Sequence, residues 1–366
     1  MIIYHSMIVW ILLVAIVANR GINLSPQPGI VTPSISRRAS FFMMGYIVFF
    51  IGLRSAGADT YAYITSFNNQ QGGKDAIITG LRNFADEGLF EAFGALIKTF
   101  TTNYHVYLFL ICAISGFALA HSLRKYSPYF TTSLLLFMLA GSYTWMINGI
   151  RQFLAATLAF AATELLLKKK TIAYILLIIL LSSIHTSALI FIPVYFLVQG
   201  PAWSRKTLLM IALAVFAISF TGPFLKLLGL AVENTNYAGV MKGEIWDADN
   251  GSNPIRSLIF AVPPIWAFIK RQEINEKGDA LINLCVNMSI VCLSISVIAN
   301  VTSGVYIGRL PIYFSLYNLI LLPWLVINTG GRNRNIWYYA MIVAYTALYF
   351  YADDGYYYSD ILNLNL

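Results

Sequence analysis

The sequence predicts an all-α polytopic integral membrane protein with about twelve transmembrane helices. Three observations carry that prediction. Of 366 residues, 58% are hydrophobic and only 11% charged, where a soluble domain carries about 25% charged residues. Apolar runs near the length of a bilayer crossing, about 20 residues, recur along the whole chain. The loops between them alternate, one short and basic, the next longer or mixed in charge. In lipid the backbone must satisfy its own hydrogen bonds within the segment, so such runs are helices rather than open sheet.

In order, the expected spans are 3–18, 39–54, 104–122, 129–147, 150–167, 171–184, 186–199, 206–222, 255–270, 279–300, 305–327 and 335–351. No basic run precedes Ile8–Ala18, so the first is expected to be a retained span rather than a cleaved leader. Basic residues mark the loops at Arg20/Arg37/Arg38, Arg124/Lys125, Lys168–Lys170, Arg205/Lys206, Lys270/Arg271 and Arg332/Arg334. The positive-inside rule assigns these to the cytoplasm, and one threading satisfies all of them with both termini outside. Loops 55–103, 223–254 and 301–304 and the tail after Tyr351 then face outward. Keeping Lys168–Lys170 and Arg205/Lys206 on one side makes 171–199 a helical hairpin with its tip at Ser183–Ser187. Within 55–103, Leu89, Phe90, Phe93, Leu96, Ile97 and Phe100 recur at helical spacing. They predict an amphipathic helix over 86–101, on the membrane surface or against the bundle. Residues 1–366 read as a single multi-span domain.

The net charge of +8 sits largely in short loops, where it orients the chain and implies no nucleic-acid partner. Cys112, Cys285 and Cys292 all fall in apolar segments and form neither a disulfide framework nor a zinc spacing. Asp247–Asp249 lies among Asn, Gly and Asp and reads as a solvated turn before a divalent-cation site. No glycine-rich phosphate loop is present. Neither a metal nor a cofactor is expected.

Arg54, Arg151 and Arg309 stand at helix ends on the outward side, where cations are scarce. Arg54 ends a helix, where a cation suits the dipole or snorkels to the interface. Arg151, in "NGIRQFLA" (148–155), and Arg309, in "GRLPIYF" (308–314), stand at helix starts. There a cation opposes the dipole by about 0.3–1 kcal/mol, and Pro311 marks a first turn. An anion between guanidinium and helix N-terminus reconciles the two. Free N–H groups with a bidentate arginine suit phosphate, and at the membrane boundary that means a lipid-linked phosphate or pyrophosphate.

Asp59, Glu87 and His185 collect on the same side. Any of them could take the proton of a sugar hydroxyl attacking an anomeric carbon, with His185 or Asp59 placed first. Each also has a structural reading. Asp59 could cap a helix through 60–67. Glu87 could complement the first turn of 86–101. His185 could polarise the hairpin tip, although ionisable groups at membrane depth lean toward function. The aromatic belt of a membrane protein accounts for most of the outward tyrosines, Tyr61 and Tyr63 among them.

Five pieces occur in a fixed order over 52–314: "GLRSAGADTYAYITSF" (52–67), "DEGLFEAFGALI" (86–97), "NGIRQFLA" with Lys168–Lys170 beyond its span, "IHTSALIFIP" (184–193) and "GRLPIYF". Together they resemble the EpsG-like, Wzy-type bacterial polysaccharide polymerases. One departure is Glu87-Gly88 without the proline such proteins often carry between them. The resemblance implies a multi-span glycosyltransferase of the bacterial inner membrane that makes O-antigen, capsule or exopolysaccharide, with an outward-facing polar cavity. It would move a growing glycan from undecaprenyl pyrophosphate to the non-reducing end of an undecaprenyl-pyrophosphate-linked repeat unit on the periplasmic face, with inversion. The pyrophosphate lipid is the leaving group, so no metal or cofactor is needed. By the same resemblance Arg151 and Arg309 bind pyrophosphate with Arg54 in support, and Asp59, Glu87 and His185 form the acid–base set. Partners would be the lipid-linked oligosaccharides, the bilayer and a chain-length-regulating membrane protein. Two rivals remain. A transporter or flippase of lipid-linked oligosaccharides would place its polar groups near the midplane of an internal repeat, and no repeat is visible. An O-antigen ligase shares the donor and differs in acceptor.

Overall fold

The computed structural model describes residues 2–18, 35–57, 59–232, 251–352 and 356–365. Each of the twelve apolar segments is helical over most of its length. They form α1 (Ile2–Val17), α2 (Arg37–Gly52), then α3 (Thr60–Asn69), α4 (Lys74–Arg82) and α5 (Gly88–Phe100) inside the loop 55–103. Next come α6 (Tyr104–Tyr126), α7 (Phe130–Leu139), α8 (Ile150–Ala161), α9 (Thr163–Leu167), α10 (Thr171–Ser182), α11 (Phe191–Val198), α12 (Arg205–Ser219) and α13 (Thr221–Val232). The remainder are α14 (Pro254–Ile269), α15 (Arg271–Lys277), α16 (Ala280–Asn300), α17 (Ile312–Ser315), α18 (Asn318–Thr329) and α19 (Arg334–Ala352). A two-stranded antiparallel hairpin, β1 (Tyr358–Ser359) with β2 (Leu364–Asn365), follows.

Among the described residues, α6 and α16 each suffice by length and composition to cross a membrane, and two bent helix pairs bring the number to four if each pair is one span. Other expected spans are shorter or broken. Segment 129–147 turns at Gly141 (φ 70°) from α7 into a 3₁₀ helix, Ser142–Met146. Segment 150–167 breaks between α8 and α9. The predicted tip at 183–187 is a real interruption, since α10 ends at Ser182 and a 3₁₀ turn resumes at Thr186. The predicted amphipathic helix is α5, which buries Phe90, Ala95 and Ile97 and leaves Leu96 and Phe100 exposed.

Helix starts follow side-chain caps. Ser36 accepts from Ala39 N before α2, Asn103 from His105 N before α6, and Asp279 from Ile282 N before α16. Asn253 accepts from Ile255 N, with Pro254 at the first position of α14.

The chain divides into two compact units, one of residues 1–164, 172–189 and 322–366, the other of 165–171 and 190–321. In the first, α6 is the spine on which α2 and α8 pack. Small residues allow this. A Cβ on Gly52 would lie 2.9 Å from the Phe109 Cα, and one on Gly116 would lie 2.6 Å from Val48 Cγ2. Close backbone approach of this kind drives helix association in lipid. In the second unit α12 and α14 pack on α16. Its buried Asn287 donates to Val198 O at 3.1 Å and accepts from Thr207 Oγ1 at 3.1 Å, a polar tie between segments.

Candidate active site

The first unit gathers five of the six expected site residues, and they do different jobs. Arg54 follows α2 and is 1% exposed. Its Nε donates to Thr60 Oγ1 (2.9 Å), Nη1 to Ile51 O (2.7 Å) and Nη2 to Ile147 O (3.1 Å). Buried, and with each of its three nitrogens on a protein acceptor, this guanidinium presents no open edge to a phosphate. Arg54 therefore departs from its expected supporting role. It closes the end of α2 and ties that turn to the segment before α8. Arg54→Ala is expected to cost about 3 kcal/mol or more by stranding buried carbonyls, seen as a lower unfolding temperature in detergent before any loss of turnover.

A C-terminal strap reinforces this turn. The last carbonyls of a helix need partners from outside it, and for α2 the tail supplies them. Tyr357 Oη donates to Phe50 O (2.9 Å), Ser359 Oγ to Leu53 O (2.5 Å), and Ser55 N to Tyr358 O (2.8 Å). Asp360 anchors the strap. It accepts from Ser55 Oγ and from Tyr104 Oη (2.9 Å), and pairs with His105 Nε2 (2.7 Å). Burial alone would raise the Asp360 carboxyl, but the Ser55 and Tyr104 hydrogen bonds and the His105 charge outweigh it and hold it down at about 2. A carboxyl depressed on folding stabilises above its unfolded value, about 3.9. That contribution fades only as pH falls through the folded value, so the strap stays closed at neutral pH. Asp360→Asn is expected to raise thiol labelling of buried Cys112, whose sulfur touches Arg54 Nη1, several-fold when Cys285 and Cys292 are replaced by Ser.

Asp59 does not cap α3 with its side chain. Its Oδ2 instead accepts from Gly149 N at 2.8 Å, and its own N–H donates to Asn148 Oδ1 at 3.3 Å. Gly149 precedes α8 at φ 70°, a conformation that favours glycine. The carboxylate thus satisfies an orphan N–H at the start of α8. The protein itself places a carboxylate at this helix start.

Arg151, in the first turn of α8, donates Nη1 to Glu87 Oε2 at 2.8 Å. Its guanidinium carbon lies 5.7 Å from the Tyr63 ring centroid and 5.4 Å from that of Phe90, within cation–π range. Tyr63 also hydrogen-bonds it; burial raises the Tyr63 phenol, and the Arg151 charge only partly offsets this, so the phenol is neutral at pH 7. The Arg151 side chain is 34% exposed. Since guanidinium has five donors, the group can take a second anion.

Glu87 lies at the centre. Its Oε2 takes Arg151, its Oε1 takes Thr186 N at 3.0 Å, and His185 Nδ1 stands 3.5 Å from Oε1. Its backbone is left-handed, φ 60° and ψ 26°, at the cap of α5, which costs a non-glycine residue about 1–2 kcal/mol. The next residue must be glycine, because a Cβ on Gly88 would meet Gly80 O at 2.0 Å. The strain is held in place by α4 and α5 packing through those glycines, and by Leu89 N donating to Ser183 Oγ at 2.9 Å. His185 Nδ1 accepts from Ser187 N (3.3 Å) and lies 3.0 Å from Ser187 Oγ. With that nitrogen accepting, a neutral ring carries its proton on Nε2. Glu87, placed last of the three from sequence, is the carboxylate that the structure sets against both the Arg151 guanidinium and the His185 ring.

Arg309 belongs to the second unit, in the 3₁₀ turn Ile307–Arg309 just before Pro311 caps α17. Arg256, in the first turn of α14, donates to Gly308 O at 3.5 Å. Sequence reading passed over Arg256, although a cation in a first helical turn is the signal that picked out Arg151. Asp247–Asp249 lies outside the described residues.

Apolar helices throughout, with a guanidinium, a carboxylate and an imidazole drawn together at helix ends, define a helical membrane protein with a compact ionic centre. The chain belongs to the EpsG family, whose model matches residues 38–359, the family of Wzy-like polysaccharide polymerases. No curated protein and no solved structure matches it significantly.

Proposed function

We propose that this protein is a polysaccharide polymerase of the bacterial inner membrane, working on its periplasmic face. It transfers a growing glycan from undecaprenyl pyrophosphate to the non-reducing end of a lipid-linked repeat unit. The observation that carries this reading is the Glu87–Arg151 pair, a base candidate and a phosphate-binding cation sharing one contact at 2.8 Å. The acceptor hydroxyl oxygen attacks the anomeric carbon, and the carbon–oxygen bond to pyrophosphate breaks. The electron pair leaves with the pyrophosphate, whose growing charge Arg151 meets through the edge of its fork not turned to Glu87. The proton passes to Glu87. Thr186 N and Arg151 fix the carboxylate, His185 stands beside it, and Asp59 seats the start of α8. Attack on the face opposite the leaving group inverts the anomeric centre. Pyrophosphate is a good leaving group by itself, so no metal or cofactor is assigned. Arg309 is assigned to phosphate binding as well, in the second unit.

Purified protein in liposomes, given a synthetic undecaprenyl-pyrophosphate-linked repeat unit, is expected to yield a glycan ladder, undiminished by chelators. Unchanged units on the opposite leaflet would make it a transporter, and growth only onto a lipid A core a ligase. Arg309→Ala is expected to cut ladder formation by about tenfold or more, a fraction of the 10²–10³ that one transition-state donor carries. Normal ladders from that variant would remove Arg309 from the assignment.

A further inference from the structure

An apolar groove borders the ionic centre. Its volume is about 360 Å³, and Phe90, Phe93 and Leu96 of α5, Leu154 and Leu158 of α8, and Ile184 line it. Three links set the groove beside the centre. Phe90 lies under the Arg151 guanidinium and also forms groove wall. Ile184 is the neighbour of His185. Arg151, Leu154 and Leu158 are spaced i, i+3, i+7, so they share one face of α8, with the cation at its first turn and the leucines running on for about 10 Å.

A cationic mouth on an apolar slot fits an amphiphile with an anionic head. The spacing narrows the choice. Leu154 is one helical turn from Arg151, about 4.5 Å along the axis, and Phe90 touches both regions. Hydrocarbon must therefore begin directly at the phosphate. In a glycerophospholipid a glycerol and two ester groups intervene, and two chains must be housed. A polyisoprenoid esterified straight to pyrophosphate has one chain and no spacer. We propose that the groove binds the phosphate-proximal isoprenoid units of the lipid carrier, with the pyrophosphate at Arg151. The assignment rests on the lipid-linked substrate proposed above, and it names where that lipid is read.

The test uses the full chain in nanodiscs of phosphatidylethanolamine and phosphatidylglycerol, with a diazirine-bearing farnesyl pyrophosphate as probe. The probe carries no sugar and undergoes no turnover, so its result is independent of whether the protein polymerises glycans. Photolabelling is expected on α5 and α8, competed by unlabelled polyisoprenyl pyrophosphate and reduced about tenfold in Leu158→Trp, which fills the slot. Leu96→Trp, on the more exposed wall (Leu96 is 45% exposed), serves should Leu158→Trp not fold. Labelling spread over other helices, competed equally by added phosphatidylglycerol, or unchanged in both tryptophan variants would overturn the assignment.

Discussion

Arg151→Lys is expected to abolish chain growth nearly as completely as Arg151→Ala, with turnover falling by about 10²–10³ in each. A lysine could keep one contact to Glu87 and the same net charge. It could not hold a carboxylate on one edge and a phosphate on another, because an ammonium is a point charge and lacks the planar fork. The stability cost differs between the two. Alanine leaves the Glu87 carboxylate, 19% exposed, without its cation, a loss of about 1–3 kcal/mol. Lysine is expected to recover part of it. Ladder assays beside thermal unfolding of both variants separate these effects. A lysine variant with wild-type ladders would show that charge alone suffices and that the fork has no part in binding.

The fold was legible because lipid imposes a simple grammar. Apolar runs must be helices, and all twelve predicted segments are helical over most of their length. Breaks within the runs were harder to read. Gly141 and the 3₁₀ turn after it lie inside the expected span 129–147, where the apolar residues on either side mask the break. Likewise α4, with Asp75 and Arg82, has too polar a surface to stand out from a loop. The strap at 357–360 was invisible for another reason. Its value comes from pairing with carbonyls about three hundred positions earlier, and a carbonyl has no signature in sequence.

Site residues were legible as types and less so as roles. A cation at a helix start raised the question of its counter-ion, and the spacing could not say that Glu87 would pair with Arg151 while Asp59 accepts from Gly149 N at the same helix start. Arg54 shows the opposite error. It carries the same charge near the same boundary, but the nearby Ile51 O and Thr60 Oγ1 and the distant Ile147 O take its three nitrogens inside the fold. Burial, which decides whether an arginine serves a ligand or the fold, depends on tertiary neighbours that local pattern does not contain.

Glu87 offers the sharpest separation of stability from activity. Glu87→Gln, Glu87→Ala and Glu87→Gly are each expected to lower turnover by about 10²–10⁴, the usual worth of a positioned base. Their stabilities should not follow that order. At φ 60° alanine pays the left-handed penalty, about 1–2 kcal/mol, and glycine escapes it. Glu87→Gly should therefore unfold at a higher temperature than Glu87→Ala despite having the smaller side chain. Glutamine keeps an acceptor for Thr186 N and loses only the charge. If His185 were the base instead, activity would fall as pH drops through the free imidazole range, about 6–7, and His185→Gln would erase that limb. With Glu87 as base, His185→Gln leaves the shape of the pH profile unchanged and lowers only its height. A profile that loses its acidic limb in His185→Gln, together with a Glu87→Gln variant of near-normal turnover, would move the proton from the carboxylate to the imidazole.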